Sequence, residues 1–343
     1  MATLDFYLQR FRHLRRDTTH AWMAATRGGA PHKPMLLLAL LDSIEEGTVT
    51  RNLVEITPEL AELFGLYWSK MMSPEQRGSM AKPFFHLRSE GFWHLIAQPG
   101  YEDTLPSLNS VDSLARLRTL LVGARLDEAL WSLVCASKAR DALRATLIES
   151  YFAPEVGSVL WQQSRINVAA NTYAQELISR ALHSQTLSSQ VSHDDKGDQT
   201  SDPATSSKIR VEDKIAVRNQ GFRRAVVTAY AHRCALCGLR ITTPEAHTVV
   251  EAAHIQPWSI SHKDDPRNGL ALCRLCHWSF DEGLVGVSPH YVVTVSRLLS
   301  DNENLPGHLV TLRDREIFKP AQSALWPDTK LLHWHEEWVF RKH

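Results

Sequence analysis

The chain has 343 residues, enough for two domains. Hydrophobic residues make up 43% and charged residues 22%, a balance that excludes a wholly disordered or fibrous chain. Its 38 basic side chains equal its 38 acidic ones, so bulk charge draws no polyanion and any basic surface must be local. The start, Met1 to Asp5, lacks a charged-then-apolar secretion pattern. The longest clear apolar run, 35–41, is far short of the ~20 residues that span a bilayer. A cytoplasmic protein with no membrane partner is expected.

Residues 6–16 have the apolar spacing of a helix. Pro31, His32, Lys33 and Pro34 then lead into the apolar run, and Pro34 suits a first helical position. Across 83–95, Phe85 alternates with Leu87, and Trp93 with Leu95, around Ser89, Glu90 and Gly91. That pattern predicts a hairpin. Residues 126–152 repeat Leu130, Leu133, Val134, Leu143, Leu147 and Ile148 at helical spacing. Cys135 reads as a small buried apolar residue. From 185 to 207 there are almost no apolar residues and no aromatics, so burial cannot offset ordering entropy. This segment is expected to be a flexible linker between domains at 1–184 and 208–343.

In the second half, 218–230 is expected to be a helix, 248–255 a strand, 257–267 a polar loop and 270–273 a strand. A helix should begin near Cys276. Four of the five cysteines form two Cys-x-x-Cys pairs, Cys234 with Cys237 and Cys273 with Cys276. Four thiolates suit one tetrahedral Zn2+ with no open position, so the metal should supply folding energy rather than chemistry. His254, Asn268 and His277 are left for chemistry. Histidine can take a proton from water near neutral pH. An amide from a neighbouring loop, Asn268, could fix its ring. His277 and Asp281 lie four apart on a helix and point to one side. That pair could grip a Mg2+ or Mn2+ ion. Glu251 is the nearest further carboxylate, but three residues along a strand sets it on the opposite face from His254. Between 214 and 240 stand Lys214, Arg218, Arg223, Arg224, Arg233 and Arg240 without an acid, a stripe suited to phosphates.

Three stretches now resemble the HNH endonucleases: Val250-Glu-Ala-Ala-His254-Ile-Gln-Pro257, Asn268-Gly-Leu-Ala-Leu-Cys273 and His277-Trp-Ser-Phe-Asp281-Glu-Gly283. The likeness runs from about 222 to the end, and the 332–340 tail is similar to that of a bacterial restriction-type subgroup. It implies a ββα-metal fold that hydrolyses DNA, with His254, Asn268 and His277 catalytic and His277 with Asp281 on a divalent cation. Many members carry an acidic or histidine ligand directly before the first His, where this chain has Ala253.

Pro31-His32-Lys33-Pro34, Lys82-Pro83-Phe-Phe-His86-Leu-Arg88, Phe92-Trp93-His94-Leu95 and the helical stretch 126–152 resemble the sulfur-binding domains of HNH restriction enzymes. That likeness covers about 5–152. It implies recognition of phosphorothioate DNA, with His32, Lys33, Pro83 and His86 lining a pocket for sulfur, which is larger and more weakly hydrated than oxygen. Such readers tend to carry an aromatic residue before the pocket proline; here it is Lys82.

The combined reading is an α+β protein with an N-terminal DNA-reading domain, a linker and a C-terminal HNH domain. It would be a restriction or defence enzyme on double-stranded, modified DNA. One active site cuts one strand, so a double-strand break needs a homodimer, two encounters or sequential nicking. Ala253 leaves room for a non-catalytic zinc-stabilised DNA-binding module. An RNase toxin is a third reading, against which the reader-like first domain weighs.

Overall fold

The structure is a computed structural model that describes residues 3–73, 75–76, 78–188, 210–243, 247–300 and 307–342. It divides into two compact units, Met1–Val168 with Thr242–His247, and Ala169–Ile241 with Thr248–His343. Both mix helices with small antiparallel sheets, an α+β architecture. No described helix is long and apolar enough to cross a membrane.

In the first unit, α1 (Leu4–Arg12) is capped by Thr3, whose side chain accepts from the Phe6 N–H, and it buries Tyr7 and Phe11. The central helix α2 (His32–Glu45) is buried at every residue from Lys33 to Ile44, so it is the core of the unit rather than an amphipathic cover. Pro34 is its third residue, not its first; the missing N–H still falls in the first turn, where no intrahelical partner exists. Strand β1 (Val54–Glu55) precedes α3 (Pro58–Met71), which opens with a Thr57 cap and Pro58.

The hairpin expected over 83–95 does not form. Its first arm is the helix α4 (Ala81–His86) followed by a 3-10 turn, Leu87–Glu90. Phe84, Phe85 and Leu87 are all buried, so both phases of the apparent alternation point inward. Gly91, at φ 82°, ends the turn and starts β2 (Trp93–Ala97). After α5 (Leu114–Leu120) comes β3 (Leu121–Leu126), which pairs with both β1 and β2 in the order β1-β3-β2. The single helix expected over 126–152 is two, α6 (Glu128–Cys135) and α7 (Ser137–Tyr151), broken at Ala136 where ψ is 124°. Cys135 is exposed at the end of α6, contrary to the expected burial.

Next comes α8 (Pro154–Ser188), a 35-residue helix that the apolar pattern did not reveal. It takes in 185–188, the first four residues of the expected linker; 189–207 lie outside the described residues. In its first half, Ser164 and Asn167 donate to the two oxygens of Asp42 at 2.6 and 2.9 Å. Tyr67 donates to the same carboxylate at 2.6 Å, and Arg144 lies 3.2 Å away. Asp42 is completely buried, and these partners offset its lost hydration.

The second unit holds α9 (Val211–Ala229), β4 (Val250–His254), the short α10 (Trp258–Ser261), β5 (Gly269–Cys273) and α11 (Arg274–Asp281). Strands β4 and β5 are antiparallel, with Val250 opposite Cys273 and His254 opposite Gly269. Because α11 follows β5 without a break, the strand, loop, strand and helix expected from the sequence are present. A hairpin of β6 (Val285–Val287) and β7 (Val293–Val295) and the helix α12 (Thr329–Trp338) complete the unit. Phe222, Val226, Val250, Ala253, Leu270, Leu272, Phe280 and Leu332 share one core, joined by Ala174 and Leu177 from the second half of α8.

Candidate active site and metal centre

Cys234, Cys237, Cys273 and Cys276 come together as expected. Their sulfur atoms all lie within 4.8 Å of one another, and the Cys237 and Cys273 sulfurs are 3.8 Å apart. None is in a disulfide. Zinc–sulfur bonds of about 2.3 Å in a tetrahedron place sulfurs about 3.8 Å apart, so the four thiols fit a zinc ion. Local backbone geometry builds the cluster. In the first pair the chain turns back as Gly238, at φ 75°, donates to the Cys234 carbonyl. The Ala235 N–H donates to Ala271, tying that turn to β5. Cys273 ends β5 and caps α11, which puts Cys276 in the first helical turn.

Beside this cluster, a cleft of about 500 Å³ is lined by Ala252, His254, Trp258, His277, Asp281 and His335, among others. His254 ends β4 with its ring stacked on Phe222, centroids 3.9 Å apart and planes 7° from parallel. Its Nε2 lies 3.5 Å from the Asp264 carboxylate. Asn268 does not hold this ring. Its side chain accepts from the Gln256 N–H at 2.9 Å and donates to the Gln256 carbonyl at 3.0 Å. The amide is buried and pins the chain just after β4, so it orients His254 through the backbone at most.

His277 projects from α11 between two carboxylates. Its Nδ1 is 3.4 Å from Glu251 and its Nε2 is 3.4 Å from Asp281. The four-residue spacing thus brings His277 and Asp281 together. Glu251 also reaches His277, although its place on β4 is out of phase with His254. Burial pushes the Asp281 carboxyl up, and the nearby His277 opposes that. Ala253 is 1% exposed and packs in the core, so the residue before His254 offers nothing to the cleft. Among the described residues only the cysteines form a tight group of three or more potential ligands, so His277 with either carboxylate fits a cation as a partial set.

His335, on α12, was not singled out by the sequence. Its ring stacks on Phe280 at 3.7 Å and its Nε2 meets the Phe280 carbonyl at 3.1 Å. Burial lowers it to about 4, so it stays neutral at neutral pH. Asp264 was also missed; nothing in the polar loop set it apart from its neighbour Asp265.

Residues 234–288 match the HNH endonuclease family model. The matched stretch contains both cysteine pairs, β4, β5 and α11, and hence every cleft residue named except those on α12. A solved structure described as a modification dependent TagI restriction endonuclease is 22% identical, with a TM-score of 0.26. The similarity covers 34% of this chain and 37% of that one, so little more than a third of that protein is spanned. No curated protein matches significantly.

Around the HNH segment, the basic residues do not make one exposed stripe. Arg224 is 8% exposed and must be withdrawn as a phosphate contact. The reason is helical phase: Val217, Gly221 and Arg224 follow at intervals of four and three on the inward face of α9. Arg218 Nε lies 3.6 Å from Asp264, and its guanidinium lies over the Trp258 ring at 3.7 Å. Arg223 and Lys214 are half-buried, while Arg233 and Arg240 are exposed.

In the first unit, His32, Lys33, Pro83 and His86 do line a single cavity, of about 630 Å³, with Arg15, Arg16, Trp22 and Lys82 on its wall. The start of α2 supplies His32 and Lys33, and α4 supplies Pro83 and His86. His32 packs against Trp22 and Trp68, with ring centroids 5.5 and 4.6 Å away. Burial, then the charge of Lys82, lowers it to about 4. Burial, then Lys33, lowers His86 as well. Lys33 is buried and paired with Glu90, so its charge is already answered. Lys82 is exposed at the rim, 3.5 Å from Asp112. Arg15 and Arg16 close the 6–16 stretch expected to be helical, but α1 ends at Arg12, so they and Trp22 come from the loop that follows.

Proposed function

We propose that this chain is a metal-dependent HNH endonuclease acting on double-stranded DNA, and that its N-terminal region selects DNA carrying a backbone modification. The observation that carries the nuclease reading is the grouping of His254, His277 and Asp281 in one cleft of a segment matching HNH endonucleases. His254 would accept the proton of the attacking water. Its Nε2 is buried toward Asp264, which leaves Nδ1 as the nitrogen for that task. Asn268 would keep the 254–256 backbone in place. His277 and Asp281, with Glu251 in reach, would hold Mg2+ or Mn2+. When bound, such a cation supplies positive charge to the phosphate and the leaving oxygen. The four cysteines would hold zinc and fix β5 against the 234–237 turn. Arg223, Arg233 and Arg218 are the remaining candidates for phosphate contact.

The finer reading, phosphorothioate, rests on the character of the first unit's cavity. Two imidazoles kept neutral, Pro83 and Trp22 make a weakly hydrated wall, and Arg15, Arg16 and Lys82 supply cations. Such a wall favours a soft, poorly hydrated sulfur over oxygen, while the cations serve the phosphate charge. A restriction or defence role would follow from that selectivity.

The test is cleavage of matched plasmids with and without phosphorothioate, in Mg2+ and in Mn2+. Cleavage of both at one rate would keep the nuclease and remove the sulfur reading. No cleavage with either metal, alongside retained binding, would favour the non-catalytic module that Ala253 leaves open.

A further inference from the structure

We infer that Asp264 is a positioning residue for His254, fixing the imidazole with its proton on Nε2 and its lone pair on Nδ1. This rests on the nuclease reading for its consequence, but not for its geometry. Asp264 stands in the loop between β4 and β5 with its side chain only 3% exposed. Its Oδ1 faces His254 Nε2 at 3.5 Å. Its Oδ2 accepts from the Tyr173 hydroxyl at 3.0 Å and lies 3.6 Å from Arg218 Nε. Thus one carboxylate oxygen is held from α8 and α9, and the other is left for the ring. Tyr173 is kept protonated by burial and by Asp264 itself, so it remains a donor. Arg218 is steadied in turn by the face of Trp258.

The ring has little freedom to answer otherwise. Phe222 lies flat against one face. Nε2 is buried with no hydrogen-bond partner among the described residues. A neutral imidazole carries one N–H, and a nitrogen facing a buried carboxylate is the one that keeps it. At 3.5 Å the contact is longer than a hydrogen bond, and such contacts commonly tighten when substrate binds. Asn268, the other candidate for holding the ring, is engaged with Gln256.

The experiment compares full-length wild type with Asp264→Asn, Asp264→Glu and Tyr173→Phe. The first readout is the pair of His254 side-chain 15N shifts, at a pH where imidazoles are neutral. Wild type should show a protonated Nε2 and a bare Nδ1, and Asp264→Asn should lose that fixed tautomer. The second readout is plasmid nicking. Asp264→Asn should lower kcat on the order of 10²-fold with KM unchanged, and Asp264→Glu should recover part of the loss. Tyr173→Phe removes one hydroxyl and should move both readouts the same way by less; it decides the matter where Asp264→Asn does not fold. A fixed Nε2–H tautomer in both variants, whatever their kcat, would overturn the proposal and leave Asp264 a structural residue. If wild type cuts no DNA, the nuclease reading falls while the nitrogen shifts still decide the role of Asp264.

Discussion

Truncating His254 removes a proton acceptor but no lysine or arginine. His254→Ala should therefore reduce nicking by roughly 10²–10⁴-fold and leave DNA affinity unchanged. Nicking kinetics and gel-shift titration of one preparation check both halves, and full activity in the variant would put the base elsewhere. A second residue-scale expectation concerns acid. His335 is 2% exposed and its ring is lowered to about 4. The unfolded chain binds that proton near pH 6.5, so as pH falls the unfolded state is favoured first. The stability from keeping this ring neutral is fully present above about 6.5 and declines down to about 4. At about pH 5 the loss is on the order of 2 kcal/mol. His32 acts in the same direction in the first unit. Thermal melts at neutral pH and near pH 5 test this. The acid shift of the second unit should shrink in His335→Leu, and an undiminished shift there would assign it to other groups.

Among the elements, β5 and α11 depend on a junction made by Cys273, which is both the last strand residue and the cap of the helix. Cys273→Ser takes a ligand from the four-thiol cluster. The second unit should then lose its cooperative melt and its zinc while the first unit's melt persists. Calorimetry with metal analysis reads both, and a zinc-free yet cooperatively folded wild type would refute a structural zinc. The legibility of the elements has physical causes. Strands β4 and β5 and helix α11 were readable because the motif residues fix the register and the cysteines punctuate it. The 83–95 region was misread because a short apolar run buried on all sides has no period to distinguish strand from helix. Helix α8 went unseen for the opposite reason. Its inward positions include Leu160, Gln163, Ser164, Asn167, Ala170, Asn171, Ala174, Leu177 and Ala181, a helical series in which four members are polar. The period is there, but hydrophobicity alone does not trace it. At the site, the four cysteines, His277 and Asp281 were legible from spacing, whereas Asp264 and His335 are brought in by loops and a distant helix.

For the molecule as a whole, α8 carries residues of both compact units: Ser164 and Asn167 meet Asp42 in the first, and Tyr173, Ala174 and Leu177 lie in the second. A fragment beginning at 208, where the sequence places the domain start, would lack the last three. Burial of a leucine side chain is worth about 1.5–3 kcal/mol, so that fragment should be less stable than one beginning at 169 by at least about that much. It should also lose the Tyr173 contact to Asp264. Melting temperatures of the fragments 169–343 and 208–343 compare them directly, and equal values would show that α8 adds nothing to the second core.

The shared helix also decides where such a protein can be recombined. A seam placed in the polar stretch near residue 200 looks neutral on paper, yet it would leave the second unit without Tyr173, whose hydroxyl donates to Asp264. A join at residue 169, inside a helix and against the usual preference for loops, would carry the whole second unit with it.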